Sequence, residues 1–196
     1  RSFSGTTRPS PMSDPRKGTS RAIASGGLVQ LLPPGPEDEL EFLGAVHRSV
    51  RIHRPWVYPP STSTAFAEYL ARSSREDFCA MFLRARDDRR LLGVFNLSQV
   101  VRGKFQNAYL GYYAFAPSEG RGFMSEGVAL LLRYAFTRLK LHRVEANVQP
   151  ENSRSIRLLE RAGFRREGYS PRYLKIGGKW RDHERWAICR EDLSPR

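Results

Sequence analysis

The sequence predicts an α/β (α+β) fold, a central mixed sheet flanked by helices. Between residues 77 and 116, strand-like apolar runs follow one another across short polar turns ("DDR", "RGK"), the pattern of an antiparallel meander. From residue 123 the hydrophobic period then switches from helical to alternating and back to helical. A meander that feeds a strand–helix unit needs parallel and antiparallel neighbours in one sheet, with helices on both faces.

Each element has its own local cause. "GLVQLLP" (27–33) is a strand, and "PEDELEFLGAVHRSV" (36–50) a helix opened by proline and an acidic first turn. "HRPWVYPP" (53–60) is a rigid aromatic loop, and "STSTAFAEYLARSS" (61–74) a helix with hydroxyl caps at hand. The meander strands span 77–87, 90–101 and 105–116. Val128, Leu131, Leu132, Ala135, Phe136 and Leu139 then recur at helical spacing. In "HRVEANVQ" (142–149), Val144, Ala146 and Val148 take one strand face, Glu145, Asn147 and Gln149 the other. "SRSIRLLERA" (153–162) is a helix that stops at Gly163, a natural left-handed cap. "GYSPRYLKIGGKWRDHERWAICRE" (168–191) gives two strands around Gly177-Gly178.

Residues 1–25 are rich in Ser, Thr, Pro and Arg without apolar periodicity, and are expected to be a disordered basic tail, with Met12 the expected natural start. The folded domain is expected over 26–196.

At 196 residues the chain suits one domain with a substantial core, and its 40% hydrophobic and 27% charged residues are those of a soluble globular protein. No run reaches membrane-span length and no signal-peptide core stands near the start, so the expected setting is cytoplasmic, without membrane contact. Cys79 and Cys189 lack ligand-spaced neighbours and are expected to be reduced core residues; no metal is expected. The histidines at 47, 53, 142 and 183 form no sequence cluster. A formal charge of +13 suits nucleic acid, the ribosome or an acidic cofactor, or simply arginine at solvated positions along the whole chain.

"FAPSEGRGFMSEG" (115–127) is the most informative stretch. Its glycines sit where a strand ends and a helix begins, where the first helical N–H groups lack partners and the positive dipole end faces outward. Such a loop binds a pyrophosphate without lysine; a bare structural turn is the alternative. A dinucleotide fingerprint is excluded, because it needs a longer glycine pattern and an acid about twenty residues on. A Walker loop is excluded by the lack of Gly-Lys-Ser/Thr.

With "GYYAFAPSEGRGFMSEGVALLLRYAF" and "LHRVEANVQPENSRSIRLLERAGFRREG", the chain resembles the GNAT N-acetyltransferases, RimJ/RimL branch, over about residues 27–190. That branch acetylates the N-terminal residue of ribosomal proteins. The resemblance implies acetyl-CoA in a wedge between the 108–116 and 142–149 strands, its pantetheine paired with backbone near Phe115 and Ala116 and its pyrophosphate on Gly120, Arg121, Gly122, Phe123 and Met124. Pro117 stands where the family has Gln or Arg.

Asn152 and Ser155 fit the family's Asn-x-x-Ser. Asn152 reads equally as a cofactor contact and as a helix cap, while Ser155 is the candidate proton donor. Glu145 is the candidate base, with a solvated or arginine-paired residue as its other reading. It shares a strand face with Asn147, where a related N-terminal acetyltransferase carries Glu. Leu159 holds the position of the family's frequent Tyr, which leaves Tyr112 and Tyr113 as further acceptor-site candidates, with core packing the other reading of each. Trp56 and Tyr58 either wall the acceptor cleft or anchor the loop by hydrophobic contact, and Asp182 and Glu184 either meet a cationic amine or pair with neighbouring arginines. The implied reaction is direct attack in a ternary complex by a peptide N-terminus or a small amine (polyamine or aminoglycoside-like). The competing reading is a silent module binding ribosome or RNA. Monomer and homodimer both stay open.

Overall fold

A computed structural model describes residues 22–118 and 120–193. The chain opens with β1 (Ala24–Ser25) and β2 (Val29–Leu32), which pair antiparallel. After a single turn of 3-10 helix come α1 (Glu39–Arg48), the short α2 (Val50–His53) and α3 (Ser63–Ser73). The meander is β3 (Phe78–Ala85), β4 (Leu91–Val101) and β5 (Asn107–Ala114). Then follow α4 (Phe123–Thr137), β6 (Arg143–Val148), α5 (Ser153–Arg161) and the hairpin β7 (Arg165–Ile176)–β8 (Lys179–Cys189).

All strands join one eight-stranded sheet in the order β1-β2-β3-β4-β5-β6-β8-β7, with β5–β6 its parallel neighbours. Strand alternation divides the core in two. Met81, Leu83, Phe95 and Leu97 face α4 and α5, meeting Val128, Leu131 and Leu159. Ala80, Phe82 and Val94 face α1 and α3, meeting Phe42 and Phe66. In the second core Phe42 stacks on Phe82 with ring centroids 5.4 Å apart. Arg84, nearly buried, bridges Asp38 (2.7 Å) and Glu41 (2.8 Å), which fastens the start of α1 to β3.

The sequence reading is corrected in two places. Ala24–Ser25 already pairs with Gln30 and Leu31, so the sheet begins inside the segment assigned to the tail. That pairing is made by backbone, which leaves no periodicity to read. Residues 1–21 of the expected tail lie outside the described residues. The hairpin also starts at Arg165 rather than 168. β7 is an edge strand, exposed along most of its length, so no apolar alternation marks its first residues. Gly163 (φ +88°) and the Gly177-Gly178 turn (φ +57° and +81°) adopt the left-handed backbone expected of them.

Gly127 sets how closely α4 lies on the sheet, since a Cβ there would stand 2.7 Å from Phe95 Cε2 and 2.9 Å from Leu83 Cδ1. Gly127→Val should therefore lower stability by about 1–3 kcal/mol through overpacking, measured as a shift in the urea unfolding midpoint.

Candidate active site

β5 and β6 start side by side and then part. Their parallel ladder covers Asn107↔Arg143, Ala108↔Val144 and Tyr109↔Glu145, yet β5 runs on to Ala114 and β6 to Val148. Beyond Tyr109 a wedge opens between them. Which β5 groups face it follows from the antiparallel phase on the other side. Phe115 N–H donates to Leu92 O at 2.8 Å, so by alternation Tyr113 and Gly111 also spend their backbone groups on β4. The N–H and C=O groups of Leu110, Tyr112 and Ala114 point the other way, into the wedge.

This phase shifts the expected pairing positions. Phe115 faces β4 through its N–H, and its carbonyl accepts from Ser118 N–H at 3.0 Å. Ala116 has the right phase, but its N–H already donates to Ser49 Oγ at 3.0 Å. The edge left for a ligand's amides is the N–H and C=O of Tyr112 with the N–H of Ala114, one turn of the pleat earlier, since Ala114 O already accepts from His53 Nε2 at 2.8 Å.

At the wedge mouth lies the start of α4. Gly120 (φ +82°) and Gly122 (φ +81°) are left-handed, and a Cβ on either would meet no atom within 4 Å. Gly122 is the N-cap, so the N–H groups of Phe123 and Met124 belong to the first turn and lack intrahelical partners. Arg121 is exposed beside them. Glu126 caps a different contact: its carboxylate accepts from Leu28 N–H at 3.1 Å and holds the β1–β2 turn against α4. Backbone donors, open space and a helix dipole suit a pyrophosphate, and the unpaired β5 edge suits the amides of a pantetheine arm.

α5 starts on the far side of the wedge. Asn152 Oδ1 accepts from Ser155 N–H at 3.2 Å, so Asn152 does form a cap. Tyr112, on the α5 face of β5, donates its hydroxyl to Ser155 O at 3.3 Å, and burial pushes its phenol up to about 12. Tyr112 and Ser155 therefore stand together. Tyr113, one residue on, faces the opposite side of the sheet and is buried in the α1–α3 core. Of the two readings open for Tyr113, acceptor site and core, this placement is the core one, because successive strand side chains alternate.

On the α1–α3 face of the sheet lie Glu145 and Asn147, opposite Ala187 and Arg185 in register. Glu145 accepts from Arg143 Nε at 3.1 Å, and Arg143 also pairs with Glu167. Asp182 is held by Tyr169 and by Arg172 N–H, and Glu184 by Arg166 (3.2 Å) and Trp186 Nε1. Arg54 stacks on Tyr58 at 3.7 Å, and Trp56 O accepts from Gln149 Nε2 at 3.3 Å. A Cβ on Gly177 would fall 2.3 Å from Tyr58 Oη, so the hairpin tip meets the aromatic loop. Cys79 and Cys189 are free and half-buried; Cys79 packs against the core on the α4–α5 face, and burial pushes its thiol up, while Cys189 lies outside both core clusters.

A family model described as "Acetyltransferase (GNAT) domain" matches residues 29–165. The chain belongs to the GNAT acetyltransferase family. Membership makes it an acyltransferase. Among curated GNAT relatives, the chain is 42% identical over 125 residues to the probable N-acetyltransferase YjcK of Bacillus subtilis, covering 64% of this chain and 69% of that protein. It is 43% identical over 109 residues to the [ribosomal protein uS5]-alanine N-acetyltransferase of Escherichia coli, spanning 56% of each. Among solved GNAT structures, RimJ of Mycobacterium smegmatis in complex with CoA-disulfide superposes with a TM-score of 0.79 at 28% identity, over 85% of this chain and 84% of that one. Spermidine N-acetyltransferase of Vibrio cholerae, in complex with CoA and spermine, shares the fold at 20% identity and a TM-score of 0.72, over 84% and 96% of the two chains.

Two residues that sequence reading missed stand beside the wedge. Ser49 and His53 lie one helical turn apart and reach the end of β5, with His53 Nε2 2.8 Å from Ala114 O. The i, i+4 spacing of two polar residues on an otherwise apolar face was the available signal. Burial holds His53, and likewise His183, below the ordinary histidine range near 6.5. Both stay neutral in the fold while the unfolded chain takes up a proton, so stability should fall as pH drops below about 6.5. Urea unfolding at about pH 7 and about pH 5 checks the sign, and His53→Gln should narrow the difference.

Proposed function

We propose that this protein transfers the acetyl group of acetyl-CoA to the α-amine of a peptide N-terminus, ribosomal proteins being the substrate class that its relatives suggest. The observation that carries this reading is the wedge: an unpaired β5 edge ending beside the free first turn of α4. Acetyl-CoA supplies the acyl group as a thioester, whose carbonyl carbon the acceptor nitrogen attacks as the C–S bond breaks.

Every other part falls to the chain. The N–H groups from Gly120 to Met124 hold the pyrophosphate, and the wedge-facing groups of Tyr112 with the N–H of Ala114 align the arm. Glu145 takes the proton that the attacking amine must lose. Its partner Arg143 is also paired with Glu167, so neutralising Glu145 does not strand a cation. Ser155 returns a proton to the departing sulfur; Tyr112, kept protonated by burial, stands beside it. Attack is direct, in a ternary complex.

Acceptor choice is supported by charge. Asp182 is engaged by fixed N–H and O–H donors and Glu184 by an arginine, which leaves neither free to receive a polyamine. An uncharged N-terminal residue asks for no such carboxylate. The net charge of +13 suits approach to a ribosomal surface.

Calorimetric titration should give tight acetyl-CoA binding that Gly122→Trp abolishes, since a side chain at φ +81° is strained and fills the anion's place. Absence of binding by the native chain would sink the enzyme reading. In steady-state assays with N-terminal peptides, Glu145→Gln should lower kcat by about 10²–10⁴-fold with little change in acetyl-CoA binding. A polyamine turned over faster than the peptides would reverse the acceptor assignment.

A further inference from the structure

The open end of β5 carries backbone groups that β6 no longer satisfies. Two of them are taken up from an unexpected quarter, the α1–α2 segment on the acceptor side of the sheet. His53 Nε2 lies 2.8 Å from Ala114 O; a carbonyl only accepts, so Nε2 carries the proton and donates. Ser49 Oγ accepts from Ala116 N–H at 3.0 Å while donating to Ala45 O at 2.6 Å. Both side chains are fully buried, at 3% and 0% exposure, so neither bond competes with solvent.

His53 is also the root of the aromatic loop. Its carbonyl accepts from Trp56 N–H (2.8 Å) and Val57 N–H (2.9 Å), which closes the turn that leads into Tyr58 at the hairpin tip. One residue thus holds the last wedge-facing carbonyl of β5 with its ring and the acceptor loop with its backbone. His53 Nδ1 and Tyr113 Oη are buried without partners, and their rings meet edge to face at 5.3 Å, so the imidazole is fixed by packing and by one hydrogen bond alone. Such economy at a buried polar group marks a position where the carbonyl's placement matters.

We infer that Ser49 and His53 are positioning residues for acetyl transfer: they replace β6 at the end of β5, fix the edge formed by Tyr112 and Ala114 for the cofactor arm, and tie that edge to the acceptor loop. The inference rests on the acetyltransferase reading above. Without the His53 bond, Ala114 O loses its donor and the strand end relaxes into the wedge. Without Ser49, Ala116 N–H does the same one step along. The cofactor should feel these losses first and the acceptor second, through the shared turn.

The test compares native chain, His53→Leu, His53→Gln and Val46→Ala for acetyl-CoA Kd by calorimetry, thermal midpoint, and KM and kcat with an N-terminal peptide. Val46 is buried in the same core and has no polar side-chain group to offer β5, so it serves as the control for stability loss alone. His53→Leu should weaken acetyl-CoA binding about tenfold, the worth of one buried hydrogen bond. His53→Gln, whose amide N–H can reach Ala114 O, should restore most of it, and Val46→Ala should leave Kd unchanged at an equal or lower midpoint. A native Kd unchanged by His53→Leu, or an equal loss in Val46→Ala, would overturn the positioning role while leaving the acetyltransferase reading intact. A native chain that binds no acetyl-CoA would remove that reading, and this one with it.

Discussion

A parallel ladder broken after its third pair is the constraint on which the rest of this molecule depends. Each strand group turned away from a lost partner must find another, since a buried backbone N–H or C=O left unpaired costs about as much as a lost hydrogen bond. Everything near the end of β5 reads as an answer to that demand. Ser49 takes Ala116 N–H and His53 takes Ala114 O, while the backbone groups of Tyr112 and the N–H of Ala114 are left without a β6 partner. A sheet that stayed paired to the end of β5 would be more stable and would have no site.

The parting must also be held at a fixed width, and two cores acting from opposite faces do this. On one face α4 sits unusually low because Gly127 lets it touch Phe95 and Leu83, and Glu126 ties its first turn to Leu28 at the sheet margin. On the other, α1 is pinned by the Arg84 bridges to Asp38 and Glu41 and by the stack of Phe42 on Phe82. Since close-packed interiors deform little, the strand ends inherit the rigidity of both layers. The low seat of α4 has a second effect: it brings the helix's first N–H groups level with the wedge mouth, where an anion can use them.

Much of this was legible in the sequence, and what was not has a definable cause. Periods of 3.6 and 2 gave the order of elements, because Val128–Phe136 and Val144–Val148 bury one face each. The glycine loop was legible from its place between periods, and Gly163 from the end of a helical stretch. Register was not. Nothing in "NAYLGYYA" says that Phe115 bonds to β4 while Ala114 faces β6, since that depends on a one-residue phase set by the β4 partner. The same phase decides that Tyr112 faces α5 while Tyr113 packs in the opposite core. His53 escaped for another reason. A lone histidine before "RPWVYPP" resembles loop punctuation, and its role appears only when α2 meets a strand end sixty-one residues away.

Breaking the ladder does more than expose an edge. In a continuous sheet, hydrogen bonds and flanking side chains seal one face from the other. Here α4, α5, Tyr112 and Ser155 lie on one face, while Glu145, Asn147 and the aromatic loop lie on the other. The wedge is the passage between them. In the proposed reaction, a thioester arm held along β5 from the α4 side would present its carbonyl to an amine on the Glu145 side, so the two reactants would meet without sharing an entrance. On that proposal both can be bound at once and neither must leave before the other arrives, which is the condition for direct attack. The inferred positioning role of Ser49 and His53 gains its point from the same geometry: the side chains that reach the end of β5 belong to the short stretch of chain from which the aromatic loop starts.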